Sequence, residues 1–120
     1  MSEIYEFLKE CGTFFLSTIN GNSPATRPMG GIMELGGELY FSTANTKNMY
    51  LQLIANPSIQ IVALKHGTRD WIRVSGNAIE VHDLDAKQAM LDACPSLQRH
   101  FDSSKCATYA LFKIVDAVSS

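Results

Sequence analysis

The amino-acid sequence predicts a mainly β fold, an antiparallel barrel with helices at its periphery. Six segments have the β-branched, aromatic or alternating composition of strands, whereas apolar residues recur at helical spacing in only three short segments. Most of the predicted strands are joined by connections of hairpin length, and parallel strands would need a helical crossover at almost every step. Closure into a barrel would also remove exposed sheet edges.

Length and composition predict one domain over residues 1–120. A chain of 120 residues can remove roughly two-thirds of its unfolded surface from water. The 46% hydrophobic and 18% charged residues exclude the composition of an intrinsically disordered protein. Because no repeat, low-complexity tract or linker interrupts the sequence, we expect no domain boundary.

Charge and cysteine spacing argue against several classes of partner. The net charge of −2 would recruit neither nucleic acid nor an anionic membrane surface, and no segment has the composition of a signal peptide or a membrane span. Cys11, Cys94 and Cys106 form no CxxC pair, and no histidine stands at metal-ligand spacing. We expect a reduced cytoplasmic protein with no metal, no nucleic-acid partner and no membrane association.

The first half of the chain predicts a helix followed by a three-stranded meander. A short amphipathic helix covers residues 2–11, and strands cover residues 13–19, 24–34 and 39–43. Pro28 lacks a backbone donor, so we expect it at a position where no ladder hydrogen bond is needed.

The second half alternates helices with strands. Helices are predicted over residues 46–55 and 83–94, the second with its first residue, an aspartate, as N-cap. Strands are predicted over residues 58–64, 71–81 and 108–118.

The junction between the third strand and the second helix has the composition of an anion site. Ser42 and Thr43 supply hydroxyls, the helix start supplies free backbone N–H groups, and Lys47 supplies a positive charge. The alternative is ordinary capping, in which Asn45 or Thr46 caps the helix and Lys47 is solvated.

Arg27 stands among apolar residues of the second predicted strand and is followed by Pro28, Met29, Gly30 and Gly31. Burial of a guanidinium is costly unless it meets an anion, and glycines let a planar ligand approach the backbone. The alternative is a surface arginine beside a β-bulge.

A third candidate is the strand that begins at Trp71. Strand alternation places Trp71, Arg73 and Ser75 on one face, which could border a ligand or a partner subunit. The alternative is a tryptophan on the barrel exterior that a helix covers.

Three segments occur in an order and at spacings that resemble the pyridoxamine 5'-phosphate oxidase-like family. They are RPMGG, YFSTANTKNMYLQL followed by NP, and WIRVSG. The resemblance implies a six-stranded antiparallel split β-barrel that binds flavin mononucleotide (FMN) at a homodimer interface. The chain ends at KIVDAVSS without the basic, tryptophan-containing segment of the pyridoxamine phosphate oxidase itself, and is similar instead to short flavin reductases and nitroimidazole-reductase-like proteins.

The resemblance also implies which residues bind the flavin. Arg27 corresponds to an arginine that reaches the phosphate or ribityl chain, and the next two residues correspond to positions beside the isoalloxazine edge. Two hydroxyl residues and Lys47 correspond to a phosphate clamp, and Trp71 stands where a glutamine commonly contacts the ring. The predicted cofactor-binding residues are Arg27, Pro28, Met29, Ser42, Thr43, Lys47 and Trp71.

The function expected from this resemblance is electron transfer between bound FMN and a small molecule. The first alternative is an FMN-binding or carrier protein without turnover; others are a barrel that binds haem or a deazaflavin, and a nucleic-acid-binding barrel. No catalytic residue is assigned. Among the histidines His66, His82 and His100, the sequence favours His66 as a proton donor because it precedes Trp71.

Overall fold

A computed structural model describes residues 2–119. This part of the chain contains three α-helices, one 3-10 helix and seven strands. The helices are α1 (Ser2–Cys11), α2 (Asn48–Ala55), α3 (Leu84–Ala93) and the 3-10 helix η1 (Pro95–Arg99). The strands are β1 (Phe14–Asn20), β2 (Ser23–Met29), β3 (Met33–Leu35), β4 (Glu38–Ala44), β5 (Ser58–Leu64), β6 (Trp71–Val81) and β7 (Tyr109–Ser119).

The strands form one antiparallel sheet in the order β2-β1-β5-β6-β7-β4-β3. Buried side chains from distant strands, among them Leu16 of β1, Phe41 of β4 and Phe112 of β7, belong to one core cluster. The sheet therefore curls around a shared core. Within the described residues its two end strands, β2 and β3, do not pair with each other, so the barrel is open along one side. The predicted antiparallel split barrel is confirmed.

The structure has one strand more than the six predicted, because residues 24–34 do not form a single strand. The chain leaves β2 after Met29, passes Gly30 and Gly31, and enters β3 at the opposite end of the sheet. The predicted meander is therefore wrong. β2 pairs with β1, whereas β4 pairs with β3 and β7.

The β1–β2 hairpin sets the position of the edge strand that borders the site. Gly21 has a φ of 63°, and Asn20 pairs with Ser23 across a two-residue turn. Hydrogen-bonded and non-hydrogen-bonded pairs alternate from this turn, which places Pro28, opposite Phe15, at a non-hydrogen-bonded position of an edge strand. The prediction that Pro28 needs no ladder bond is confirmed.

Helices α1 and α2 pack against the barrel core, whereas α3 packs with Met33, Tyr40 and Leu111 in a second buried cluster. α1 buries Leu8, and α2 buries Met49 and Leu53 against the same core cluster. The side chain of Asp83 accepts a hydrogen bond from the backbone N–H of Asp85 at 3.0 Å, which confirms the predicted N-cap of α3. Helix η1, directly after α3, was not predicted.

Two features are absent from residues 2–119. None of their helices combines the length and apolar character needed to cross a bilayer. Their His, Cys, Asp and Glu side chains form no group of three or more that could hold a metal ion.

Candidate functional site

A cavity of about 620 Å³ lies beside the edge strand β2. Its walls come from β2, the end of β4, the start of α2, and η1 with the residues that follow it. This volume is within the usual range of small-molecule sites. Six of the seven predicted cofactor-binding residues line this one cavity: Arg27, Pro28, Met29, Ser42, Thr43 and Lys47.

The start of α2 faces the cavity without a side-chain cap. Lys47 occupies the N-cap position in an extended conformation and makes no capping hydrogen bond, and the first turn carries no acidic residue. Asn45 does not cap the helix, because its side-chain amide donates to the carbonyl of Ala107 at 2.8 Å. Asn48 and Met49, the first two helical residues, line the cavity. Capping by Asn45 or Thr46, the predicted alternative, is therefore not observed, although Lys47 is exposed as that alternative expected. The positive end of the helix is available to an anion.

Two buried hydroxyl residues, Ser42 and Thr43, form the neighbouring part of the wall at the end of β4. Buried hydroxyls are normally hydrogen-bonded, and each can donate to an acceptor in the cavity. They precede Lys47 by five and four residues, so hydroxyl, backbone N–H and ammonium donors come from one short stretch of chain.

Arg27 enters the cavity from β2 and is held by neutral groups. Its Nη1 donates to Thr18 Oγ1 at 2.9 Å and to the carbonyl of Leu16 at 3.3 Å, and its Nη2 donates to Gln52 Oε1 at 3.1 Å. Partial burial lowers the pKa of Arg27 below its ordinary value. None of the ion pairs among residues 2–119 involves Arg27 or Lys47. Arg27 is therefore not the surface arginine of the alternative interpretation, and two cations without carboxylate partners line one cavity.

The family model described as Pyridoxamine 5'-phosphate oxidase matches residues 1–111. The chain belongs to the pyridoxamine 5'-phosphate oxidase-like split-barrel family. A solved NimC/NimA family protein from Clostridium acetobutylicum is 34% identical in sequence, with a TM-score of 0.94 over 99% of this chain and 84% of that chain.

Two more distant members of the fold are similar over nearly the same length. General stress protein 26 from Bacillus anthracis has a TM-score of 0.77 at 23% identity, covering 94% of this chain and 85% of that chain. An FAD-binding protein from Mesorhizobium loti has a TM-score of 0.69 at 21% identity, covering 98% and 90%. These two show the shared fold. Comparison with curated protein sequences finds no match.

Trp71 is the predicted cofactor-binding residue that does not line the cavity of this family member. It begins β6, opposite Leu64 of β5, and is 53% exposed. The Cζ atom of Arg73 lies 5.4 Å from the centroid of its ring, and the buried Val74 faces the other way, so the predicted alternation is confirmed. The alternative of a helix-covered tryptophan is wrong for the single chain. A contact between Trp71 and a flavin stays a prediction.

The sequence did not predict the wall formed by Leu97, His100 and Phe101. Their segment has no strand or helix period, and the ring of Phe101 is placed by stacking on Tyr109 at 4.7 Å, a contact between residues of different elements. His66, the proton donor favoured from sequence, does not line the cavity, whereas His100 does. His100, rather than His66, is therefore positioned to exchange a proton with a ligand in this cavity.

Proposed function

We propose that this protein binds FMN in the cavity beside β2 and uses it to transfer electrons to or from a small molecule. One observation carries the proposal: Arg27 and Lys47, two cations without carboxylate partners, line the same cavity as the uncapped start of α2. Such a set of charged and backbone donors suits a phosphate monoester, which carries up to two negative charges at neutral pH. The FAD-binding relative supports a flavin as the group that carries the phosphate.

The residues of this chain would divide the work of binding. Ser42, Thr43, Lys47 and the α2 start would hold the phosphate, and Arg27 would add a second positive charge from β2. Pro28 and Met29 would border the ring along the free edge of β2. Bound FMN supplies one- and two-electron transfer chemistry, and the protein supplies orientation and electrostatics.

The visible spectrum tests flavin binding directly. We expect protein incubated with FMN and freed of excess ligand to retain the yellow flavin spectrum, and to bind FMN more tightly than riboflavin, which lacks the phosphate. Equal affinity for the two would contradict the phosphate site. FAD, measured in parallel, decides which flavin the cavity prefers.

Electron transfer needs a separate measurement, because a carrier protein would bind FMN equally well. We expect the reduced, FMN-loaded protein to be reoxidised by a small-molecule acceptor faster than by dioxygen alone in a stopped-flow experiment. If no acceptor in a panel of quinones and nitroaromatic compounds gives a faster rate, the protein is an FMN carrier rather than an oxidoreductase.

We also propose that the protein is a homodimer that closes on the outer face of β1, β5 and β6. Phe15, Leu64 and Trp71 are 48%, 58% and 53% exposed on these strands. Pro28 lies opposite Phe15, so this apolar face continues to the cavity wall. In register, Pro28 is three strands away from the β6 strand that carries Trp71, about 14 Å at the usual strand spacing. We therefore propose that Trp71 meets a flavin bound to the partner subunit. Residence in the cytoplasm remains part of this proposal.

A further inference from the structure

We infer that Gln52 and Thr18 form a neutral cradle that positions Arg27 for an anionic ligand and leaves its charge uncompensated. The inference rests on the proposed function, since the anion is taken to be the phosphate of FMN. It assigns Gln52 and Thr18 as positioning residues, which act on the ligand through Arg27.

The cradle joins three elements in a closed set of hydrogen bonds. Arg27 of β2 donates to Thr18 of β1 at 2.9 Å and to Gln52 of α2 at 3.1 Å. The Thr18 hydroxyl, in a residue that is 1% exposed, donates in turn to the same Gln52 Oε1 at 2.5 Å. Each of the three side chains is therefore fixed by the other two.

The bonds of the cradle use only part of the guanidinium. Arginine has five N–H donors, and the hydrogen bonds to Thr18, Gln52 and the Leu16 carbonyl use three of them. The Nε–H group and one Nη2–H group remain for a ligand in the cavity that Arg27 lines. Because one side of the planar guanidinium is already fixed, binding an anion on the other side costs less rotamer entropy than it would for a free arginine side chain.

The acceptors of the cradle are an amide oxygen, a hydroxyl and a backbone carbonyl, all of them neutral. A carboxylate at position 52 would accept the same two hydrogen bonds, but it would also neutralise Arg27 and repel a phosphate. An amide retains the geometry and leaves the positive charge to the ligand. Gln52 also stands on α2, the helix whose first residues line the cavity, so one helix positions both sides of the proposed phosphate site.

The replacement Gln52→Glu tests this inference because it changes charge and little else. The carboxylate can keep the hydrogen bonds from Thr18 and Arg27, so we expect a folded protein with an unchanged or higher melting temperature. We expect its affinity for FMN to fall about tenfold, while its affinity for riboflavin changes less than about twofold. Gln88→Glu is the matched control, since it makes the same change on the exposed side of α3 and should alter neither affinity.

The ratio of FMN affinity to riboflavin affinity separates positioning from a merely structural role. An unchanged ratio in Gln52→Glu, whether both affinities stay or both fall, would overturn the inference. A wild-type protein that binds neither flavin would instead contradict the proposed function. In that case the side-chain ¹⁵N NMR spectrum of Arg27 still tests the cradle: Gln52→Met should speed rotation of the guanidinium, and unchanged rotation would overturn the inference.

Discussion

At the scale of single residues, the two cations of the cavity are held in different ways. Arg27 is fixed by three hydrogen bonds, whereas Lys47 is exposed at the N-cap of α2. We expect Arg27→Ala and Lys47→Ala each to weaken FMN binding about ten- to a hundredfold, the scale of a lost charge-assisted hydrogen bond. Titration of flavin fluorescence measures the change.

The matched control for this pair is Arg69→Ala, which removes a cation from the exposed turn between β5 and β6. It should leave FMN affinity unchanged. If both cavity variants bind FMN as tightly as the wild-type protein, the phosphate site lies elsewhere.

The three free cysteines should differ in reactivity because their surroundings shift their pKa values in different directions. Burial raises the pKa of Cys11 and of Cys94, whereas the side-chain hydrogen bond with Thr108 lowers the pKa of Cys106. At a given mildly alkaline pH a lower pKa means a larger thiolate fraction, and the thiolate is the reactive form. We expect iodoacetamide to modify Cys106 first. Peptide mass spectrometry of a reaction time course measures the order of modification. If Cys94 reacts as fast as Cys106, the expected order is wrong.

At the scale of elements, the β6–β7 ladder contains an irregularity that requires glycine. The register shifts between Ser75 and Asn77, and a Cβ atom on Gly76 would lie 2.7 Å from Ile114 Cγ2 and 2.9 Å from the Val115 carbonyl oxygen. Because one of these neighbours is backbone, relief needs a shift of the strand. We expect Gly76→Ala to lower the free energy of unfolding by about 1–3 kcal/mol.

Chemical denaturation measures this change, and Gly30→Ala is its control. A Cβ atom on Gly30 would meet only the Gly12 carbonyl oxygen, at 3.8 Å. The free energy of unfolding of Gly30→Ala should differ from that of the wild-type protein by less than about 0.5 kcal/mol. If both variants lose the same free energy of unfolding, the contact between the added Cβ atom and β7 does not cause the loss in Gly76→Ala.

Element type could be predicted from the sequence wherever the pattern is local. The strands β5 and β6 match their predicted ranges, because a mostly apolar run of strand length marks β5, alternation marks β6, and polar or turn residues flank both. The break between β2 and β3 could not be predicted, because it depends on strand pairing. β2 pairs with β1 at one end of the sheet, and β3 pairs with β4 at the other. Helix α2 begins at Asn48 rather than at residue 46, with no capping side chain to mark its start.

The same distinction applies to the candidate site. The residues at the β4–α2 junction and Arg27 with its two successors could be predicted, since each group is contiguous in sequence and carries its chemistry in its residue types. Gln52 and Thr18 were missed as site residues, and His100 was considered as a proton donor but ranked below His66. They reach Arg27 or the cavity through tertiary contacts, and nothing in their local sequence distinguishes them from ordinary surface or strand residues.

At the scale of the whole molecule, the outer face of β1, β5 and β6 is where we expect the second subunit. Leu64→Lys would place a charge in a desolvated interface, so it should convert a dimer to a monomer. Leu84→Lys, at an exposed apolar position that begins α3, should leave the dimer intact. Light scattering reports the mass. A wild-type monomer that still holds FMN would contradict the dimer proposal.

The account as a whole depends on a phosphate being held between β2 and the start of α2. A crystal structure of the protein with FMN tests this most directly. We predict the phosphate within hydrogen-bonding distance of Arg27, Lys47 and the first backbone N–H groups of α2, with the ring beside Pro28 and Met29. Flavin density at any other place, with Arg27 and Lys47 directed to solvent, would contradict it.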